Sequence, residues 1–165
     1  MQNDPGNLID RMFEYNLWAN RRLIEVCIHL TDEQLEVERD GAYGRIQPTL
    51  VHMLRAEGNY LRRITGSYPW GEDPDWGNLK MSDLLTLAQQ SGSRLVEIAS
   101  KTDPAVHHEV GARSGQLGFF NWTVLLQALY HGIEHRTQIK FLLTKLGLEH
   151  PELAAWDYVE SLTSE

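Results

Sequence analysis

Apolar residues recur along this chain at helical three- and four-residue intervals, in four long stretches divided by clusters of Gly, Pro and aromatic residues. The first stretch, residues 7–29, carries Leu8, Met12, Ala19, Leu23, Val26 and Cys27 on one stripe, with Phe13, Leu17, Ile24 and Ile28 widening it. Thr31 and Gln34 have the spacing of a capping box and predict a short turn of helix. Pro48 suits a first helical position and opens a second helix that ends near Gly66. An aromatic loop with Trp70 and Trp76 follows, then a third helix with Ser82 as N-cap and Asp83 in its first turn, reaching about Thr102. Residues 105–120 change to short segments around Gly111, Gly115 and Gly118 and predict an irregular hairpin. The fourth helix runs from Asn121 as cap to Lys145, with Gly147 as a stop, and a short tail helix covers 152–162.

Four such helices predict an all-α fold: a four-helix bundle with long crossover loops and a short hairpin between the third and fourth helices, forming one domain over residues 1–165. The loops before the second and fourth helices are long enough to cross an end of the bundle. Periodicity therefore leaves the up-and-down order open.

Candidate chemistry sits on the fourth helix, in the string Tyr130-His-Gly-Ile-Glu-His-Arg-Thr-Gln138. His131 and His135 are four residues apart, so their imidazoles stack one turn apart on one face. They also belong to the buried stripe Val124, Ala128, His131, His135, Ile139 and Leu142. Buried ring nitrogens need partners, at a cost of about 1–3 kcal/mol for each one left unsatisfied. A pair of core histidines bonded to Tyr, Glu or backbone would meet that need. So would a divalent metal, which takes one nitrogen of each ring and leaves the other for an outer acceptor.

A catalytic site of this kind usually has three protein ligands and one open position. Candidates for the third are His29, His52, His107, His108, His150 and the carboxylates. His29 and His150 adjoin helix ends, and His107-His108 falls in the predicted hairpin. His52 shares a face with Thr49, Ala56 and Asn59, small uncharged groups that leave room for a polar cleft. It is the best of the set by a small margin. Glu134 is a candidate general base or outer acceptor, and also a plain solvent-facing carboxylate beside Arg136. Gln138, a turn past His135, is a candidate to orient a ligand or substrate, and also an ordinary polar edge residue. Trp70 and Trp76 form either a lid over the site or a hydrophobic loop packed on the bundle.

Composition narrows the partners. The net charge is 15 − 23 = −8, which weighs against nucleic acid, whose binding needs clustered Lys and Arg. Apolar stretches are too short and too interrupted by charge to cross a bilayer. The start of the chain lacks the basic and apolar regions of a secretory signal, and the single cysteine, Cys27, fits a reducing compartment, so a cytoplasmic protein is expected. Cys27 lies on an apolar stripe, as an inert core thiol would. The apolar residues on two sides of the first helix exceed what one bundle core needs, and a homodimer is expected to cover them.

Three segments together resemble the DinB-like (DNA-damage-inducible) family. Tyr15-Asn-Leu-Trp-Ala-Asn-Arg-Arg-Leu-Ile24 is similar to its first helix, Thr49-Leu-Val-His-Met-Leu-Arg-Ala-Glu57 to its second, and Tyr130–Ile139 to its fourth. Thr137 departs from the family pattern, which often has Gly there. The resemblance implies a four-helix bundle whose divalent metal is held by His52, His131 and His135. It also implies metal-dependent transferases or isomerases that use low-molecular-weight bacterial thiols, and proteins that often pair as dimers.

The expected function is thus transfer to, or isomerisation of, a small electrophile with a small thiol, with one divalent ion (Zn, Ni or Fe) as cofactor. Three neutral imidazoles leave the ion its full charge, enough to deprotonate a bound thiol or to lower the pKa of bound water to about 7. Two alternatives stand beside it: a hydrolase using a metal-bound hydroxide, and a metal-binding stress protein without turnover. His131-Gly-Ile-Glu-His135 also matches the inverted zinc-peptidase string H-x-x-E-H, but that class is built on a much larger catalytic domain.

Overall fold

The computed structural model describes residues 6–38, 44–109 and 118–163. Its elements are α1 (Leu8–Cys27), α2 (Asp32–Leu35), α3 (Ile46–Thr65), α4 (Met81–Ala99), β1 (His107–His108), β2 (Phe119–Phe120), α5 (Asn121–Lys145) and α6 (Ala155–Thr163). Four long helices form the bundle. The strands pair antiparallel, with His107 opposite Phe120 and His108 opposite Phe119, at the place where a hairpin is expected. The glycines expected to punctuate that hairpin at 111 and 115, and Gly41 before α3, lie outside the described residues.

Local chemistry accounts for the ends. Asn7 caps α1 by accepting from the Ile9 amide at 2.9 Å. Thr31 and Gln34 close the expected capping box on α2. Gly66 ends α3 at φ 83°, a left-handed conformation that costs other residues more.

Several boundaries differ from the sequence-based expectation, among them the tail helix, which begins at Ala155 rather than 152. The helix α3 begins at Ile46, so Pro48 sits inside its first turn, where backbone N–H groups are unpaired anyway. Asp83 reaches back to the Lys80 amide at 2.8 Å, which makes Lys80 the cap of α4 and places Ser82 within the helix. Asn121 is the first residue of α5 rather than its cap. Its side chain is engaged elsewhere: its amide donates to the Asp103 carbonyl at 3.0 Å and its oxygen bonds His108 Nε2 at 2.7 Å.

The core splits into two apolar clusters. One holds Leu23, Ile24, Leu50, Leu54, Leu84, Ala88, Ile139 and Leu142. The other holds Phe13, Leu61, Leu95, Leu125 and Leu129. Following each helix from one cluster to the other sets its direction. The helices α1 and α5 run one way, α3 and α4 the other, an order of up, down, down, up. Around the bundle α4 lies between α1 and α3, and α5 between α3 and α1, so α1 stands diagonally from α3 and α4 from α5.

Only the connection from α3 to α4 must return along the bundle's length. It does so with its aromatic residues: Trp70 and Trp76 pack on the first cluster and on each other at 5.4 Å, and Tyr68 stacks on Trp70 at 5.9 Å. Trp70 seats on Gly58 of α3, where a Cβ would fall 2.1 Å from the indole. The aromatic loop is therefore packing on the bundle, the second of its two expected roles.

Between the clusters lies a buried polar layer with at least one side chain from every long helix: Asn16 and Asn20 of α1, Glu57 of α3, Ser91 of α4 and Arg136 of α5. Arg136 Nη1 donates to Asn16 Oδ1 at 2.8 Å and to Asn20 Oδ1 at 2.5 Å, and Asn20 Nδ2 donates to Glu57 Oε2 at 3.0 Å. Gly132 makes room for this, since a Cβ there would lie 2.8 Å from both Arg136 Nη1 and Asn16 Oδ1. Among the described residues no helix is long and apolar enough to cross a membrane.

Candidate metal centre

The antiparallel contact of α3 and α5 brings His52 opposite His131 and His135. His131 Nε2 lies 3.1 Å from His52 Nε2 and 3.0 Å from His135 Nε2, and one ligand atom from each ring falls within 4.8 Å of the others. His135 and His131 are buried and His52 is half-buried. The Tyr60 ring stands edge-on to His131 at 5.8 Å. Among the described residues this is the only cluster of three potential ligands from His, Cys, Asp and Glu.

Gln138 settles which nitrogen of His135 faces inward. Its Oε1 lies 2.8 Å from His135 Nδ1, and an oxygen there requires the ring to donate. The proton is then on Nδ1, and Nε2 presents a bare lone pair to His131. A charging proton on His131 or His52 is disfavoured. Burial first, and then the charges of His135 and His52, push the His131 imidazole down to about 4; burial and His135 also lower His52. Three Nε2 atoms converge at close range, and neutral rings that carry their proton on Nδ1 would turn their lone pairs to a shared cation. The donor set therefore fits a divalent ion, with tetrahedral zinc-type sites placing imidazole nitrogens about 2.0–2.1 Å from the metal.

Glu134 is different. It is exposed and, among the described residues, makes no hydrogen bond or ion pair; one residue before His135, it is turned about 100° away from that ring. It is not part of the three-histidine cluster. His29 and His107 are exposed, and His108 is committed to Asn121; neither they nor the half-buried His150 join the cluster.

Sequence reasoning missed Arg136 as a buried group, treating it as a surface partner for Glu134. The available signal was Phe13, Asn16, Asn20 and Leu23, amides at core spacing on α1, together with Gly132 one turn before Arg136.

Proton linkage gives opposite signs for the two buried systems. His131 binds protons more weakly folded than unfolded, so its contribution to stability is lost as pH falls from 6.5 through about 4. Glu57 is pushed up to about 7 by burial, against the opposing pull of Arg136, Ser91 and Asn20, so its contribution falls as pH rises from 4.5 to 7. Between 4.5 and 6.5 the two oppose each other. In metal-free Glu57→Gln, stability measured by urea unfolding is expected to climb more steeply with pH across that window than in the parent, by about 1–3 kcal/mol overall. Parallel curves would contradict this assignment.

A four-helix bundle with three histidines converging between two of its helices is the class of protein defined so far. The chain belongs to the DinB family, whose model matches residues 1–164. A solved structure described as YfiT from Bacillus subtilis, a probable metal-dependent hydrolase with an unusual four-helix bundle topology, is similar in fold, with a TM-score of 0.64 at 17% identity. The match covers 90% of this chain and 93% of that one. Nothing among curated proteins matches.

Proposed function

We propose that this DinB-family protein is a divalent-metal-dependent enzyme that joins a small thiol to a small electrophile, or isomerises the electrophile with the thiol's help. The observation that carries the metal is the convergence of three Nε2 atoms, with the His135 tautomer set by Gln138. A divalent ion on three neutral imidazoles supplies Lewis acidity, favouring ionisation of a coordinated thiol or water. The chain's single cysteine cannot serve as the nucleophile, because Cys27 is buried and burial pushes its thiol up to about 12. The nucleophile in this reading is therefore a free, low-molecular-weight thiol. Gln138 is assigned to holding His135 in its metal-ready tautomer, and Glu134 only to the rim. Zn, Ni and Fe all suit imidazole ligands.

Hydrolysis is the second reading, favoured by the description of YfiT as a probable metal-dependent hydrolase. Metal analysis of protein purified without a histidine tag is expected to find one divalent ion per chain. Chelation is then expected to abolish turnover and re-addition to restore it. Turnover that requires added thiol supports transfer, turnover with water alone supports hydrolysis, and activity in the metal-free protein removes both.

The reading includes a cytoplasmic homodimer and no nucleic-acid partner. Trp122, Leu126, Tyr130 and Ile133 make an apolar stripe on the outer side of α5, each about half exposed. Ile133 continues it, with Met12, Val159 and Leu162, into an apolar groove of about 550 Å³ between α1, α5 and α6. Monomers seldom expose contiguous apolar patches beyond several hundred Å². The surplus lies more on α5 than on α1, and a second copy can cover it about a two-fold axis. Sedimentation at micromolar concentration is expected to give twice the 18.9 kDa chain mass. A monomer mass would remove this part.

A further inference from the structure

We infer that Asn20 is a positioning residue for the three-histidine site: its carboxamide joins the helix that carries His52 to the helix that carries His131 and His135. The inference rests on the metal-binding reading above. Asn20 belongs to α1, which supplies none of the three histidines. Its Oδ1 accepts from Arg136 Nη1 at 2.5 Å, and Arg136 is the residue next to His135 on α5. Its Nδ2 donates to Glu57 Oε2 at 3.0 Å, and Glu57 follows His52 by five residues on α3. Both contacts are buried, as are all three residues.

The two bonds have opposite sense. One needs an acceptor at position 20 and the other a donor, and a carboxamide offers both within a single side chain. Aspartate would satisfy Arg136 and, at a pH where Glu57 is ionised, set its second oxygen against that carboxylate. Leucine would satisfy neither.

Such a bridge does what apolar packing alone does poorly. Aliphatic side chains tolerate small rotations and slides of a helix, because dispersion and burial have little directional preference. Hydrogen bonds to a planar amide and a planar guanidinium fix angle as well as distance. The bonds through Asn20 lock α3 and α5 in rotation and height relative to one another. The histidine nitrogens depend on that relation, since His52 approaches from one helix and its two partners from the other. Groups outside the immediate ligands commonly change metal affinity by about 10–100-fold when lost.

Cobalt(II) titration tests this, because the visible bands of the bound ion report its geometry independently of catalysis. Four proteins are compared: the parent, Asn20→Asp, Glu57→Gln and the double variant Asn20→Asp/Glu57→Gln. Asn20→Asp is expected to bind cobalt at least about tenfold more weakly, with shifted bands. Glu57→Gln keeps an acceptor for Asn20 and is expected to remain within about threefold of the parent. The double variant restores the pattern with its sense reversed. The carboxylate introduced on α1 then accepts both from Arg136 and from the carboxamide introduced on α3. It is expected to recover the parent's bands and affinity, a coupling that independent substitutions do not show.

A folded Asn20→Asp with unchanged affinity and bands overturns the inference. So does a double variant that is folded and no better than Asn20→Asp. If Asn20→Asp alone does not fold, the double variant decides: parent-like bands support the bridge and altered bands refute it. A parent protein that binds no cobalt is a separate outcome. It removes the metal reading and takes this inference with it.

Discussion

Replacing His135 by alanine is expected to weaken divalent-metal binding roughly a hundredfold to a thousandfold and leave the bundle folded. Complete four-ligand zinc sites are worth about 10–16 kcal/mol, so one ligand accounts for about 3–4 kcal/mol. His135 is the most informative ligand to remove because its tautomer is set by Gln138, at 2.8 Å. The fold survives because His135 is not part of the apolar clusters, whereas Ile139, Leu142 and Leu143 hold that helix in the core. Metal analysis after dialysis, with circular dichroism as the folding control, provides the check. Full occupancy in the variant would contradict the assignment of the site.

Replacing Arg136 by methionine is expected to destabilise the protein by about 2–5 kcal/mol, since it strips two buried amide oxygens of their shared donor, at about 1–3 kcal/mol for each. Arg136 and Glu57 are each 3% exposed, so neither side chain has water to fall back on. Methionine fills much of the volume but leaves Asn16 and Asn20 without their donor and Glu57 without a counter-charge. Lysine should rescue part of the loss, because both amide oxygens take their hydrogen bonds from one nitrogen, Nη1, and an ammonium also carries several donors on one atom. The loss is a large share of the roughly 5–15 kcal/mol that holds an ordinary domain folded. Urea unfolding of the metal-free protein would measure it, and a change below about 1 kcal/mol would show that these hydrogen bonds contribute little.

These predictions draw on features of unequal legibility. The long helices were readable because stripes such as Leu50, Leu54 and Leu61 survive in the packed core. The buried position of His131 and His135 followed from the same periodicity. His52 did not follow from spacing, since its place opposite the pair depends on how α3 meets α5; the resemblance to DinB-like helices supplied it. The order of the helices was hidden for a similar reason, because direction is fixed by which ends share a cluster. Arg136 was misplaced by a rule of composition: charged residues are mostly exposed, and its burial depends on amides 116 and 120 residues away. The capping errors at Ser82 and Asn121 arose where a neighbour or a tertiary contact claimed the side chain.

The three histidines are unevenly spaced along the chain. His131 and His135 are one helical turn apart, while His52 and His131 are separated by 79 positions. Any helical turn at 131–135 presents the first two ligands, even in a chain whose tertiary structure is incomplete. The third arrives only when α3 and α5 have docked. An ion bound by all three would therefore tie two distant parts of the chain together, much as a cross-link does. By loop-closure entropy a tie across that span can be worth about 4 kcal/mol against the unfolded state. Metal affinity would then gauge tertiary completeness: a half-folded chain would offer a weak two-ligand site, and tight retention would mark molecules that have finished folding.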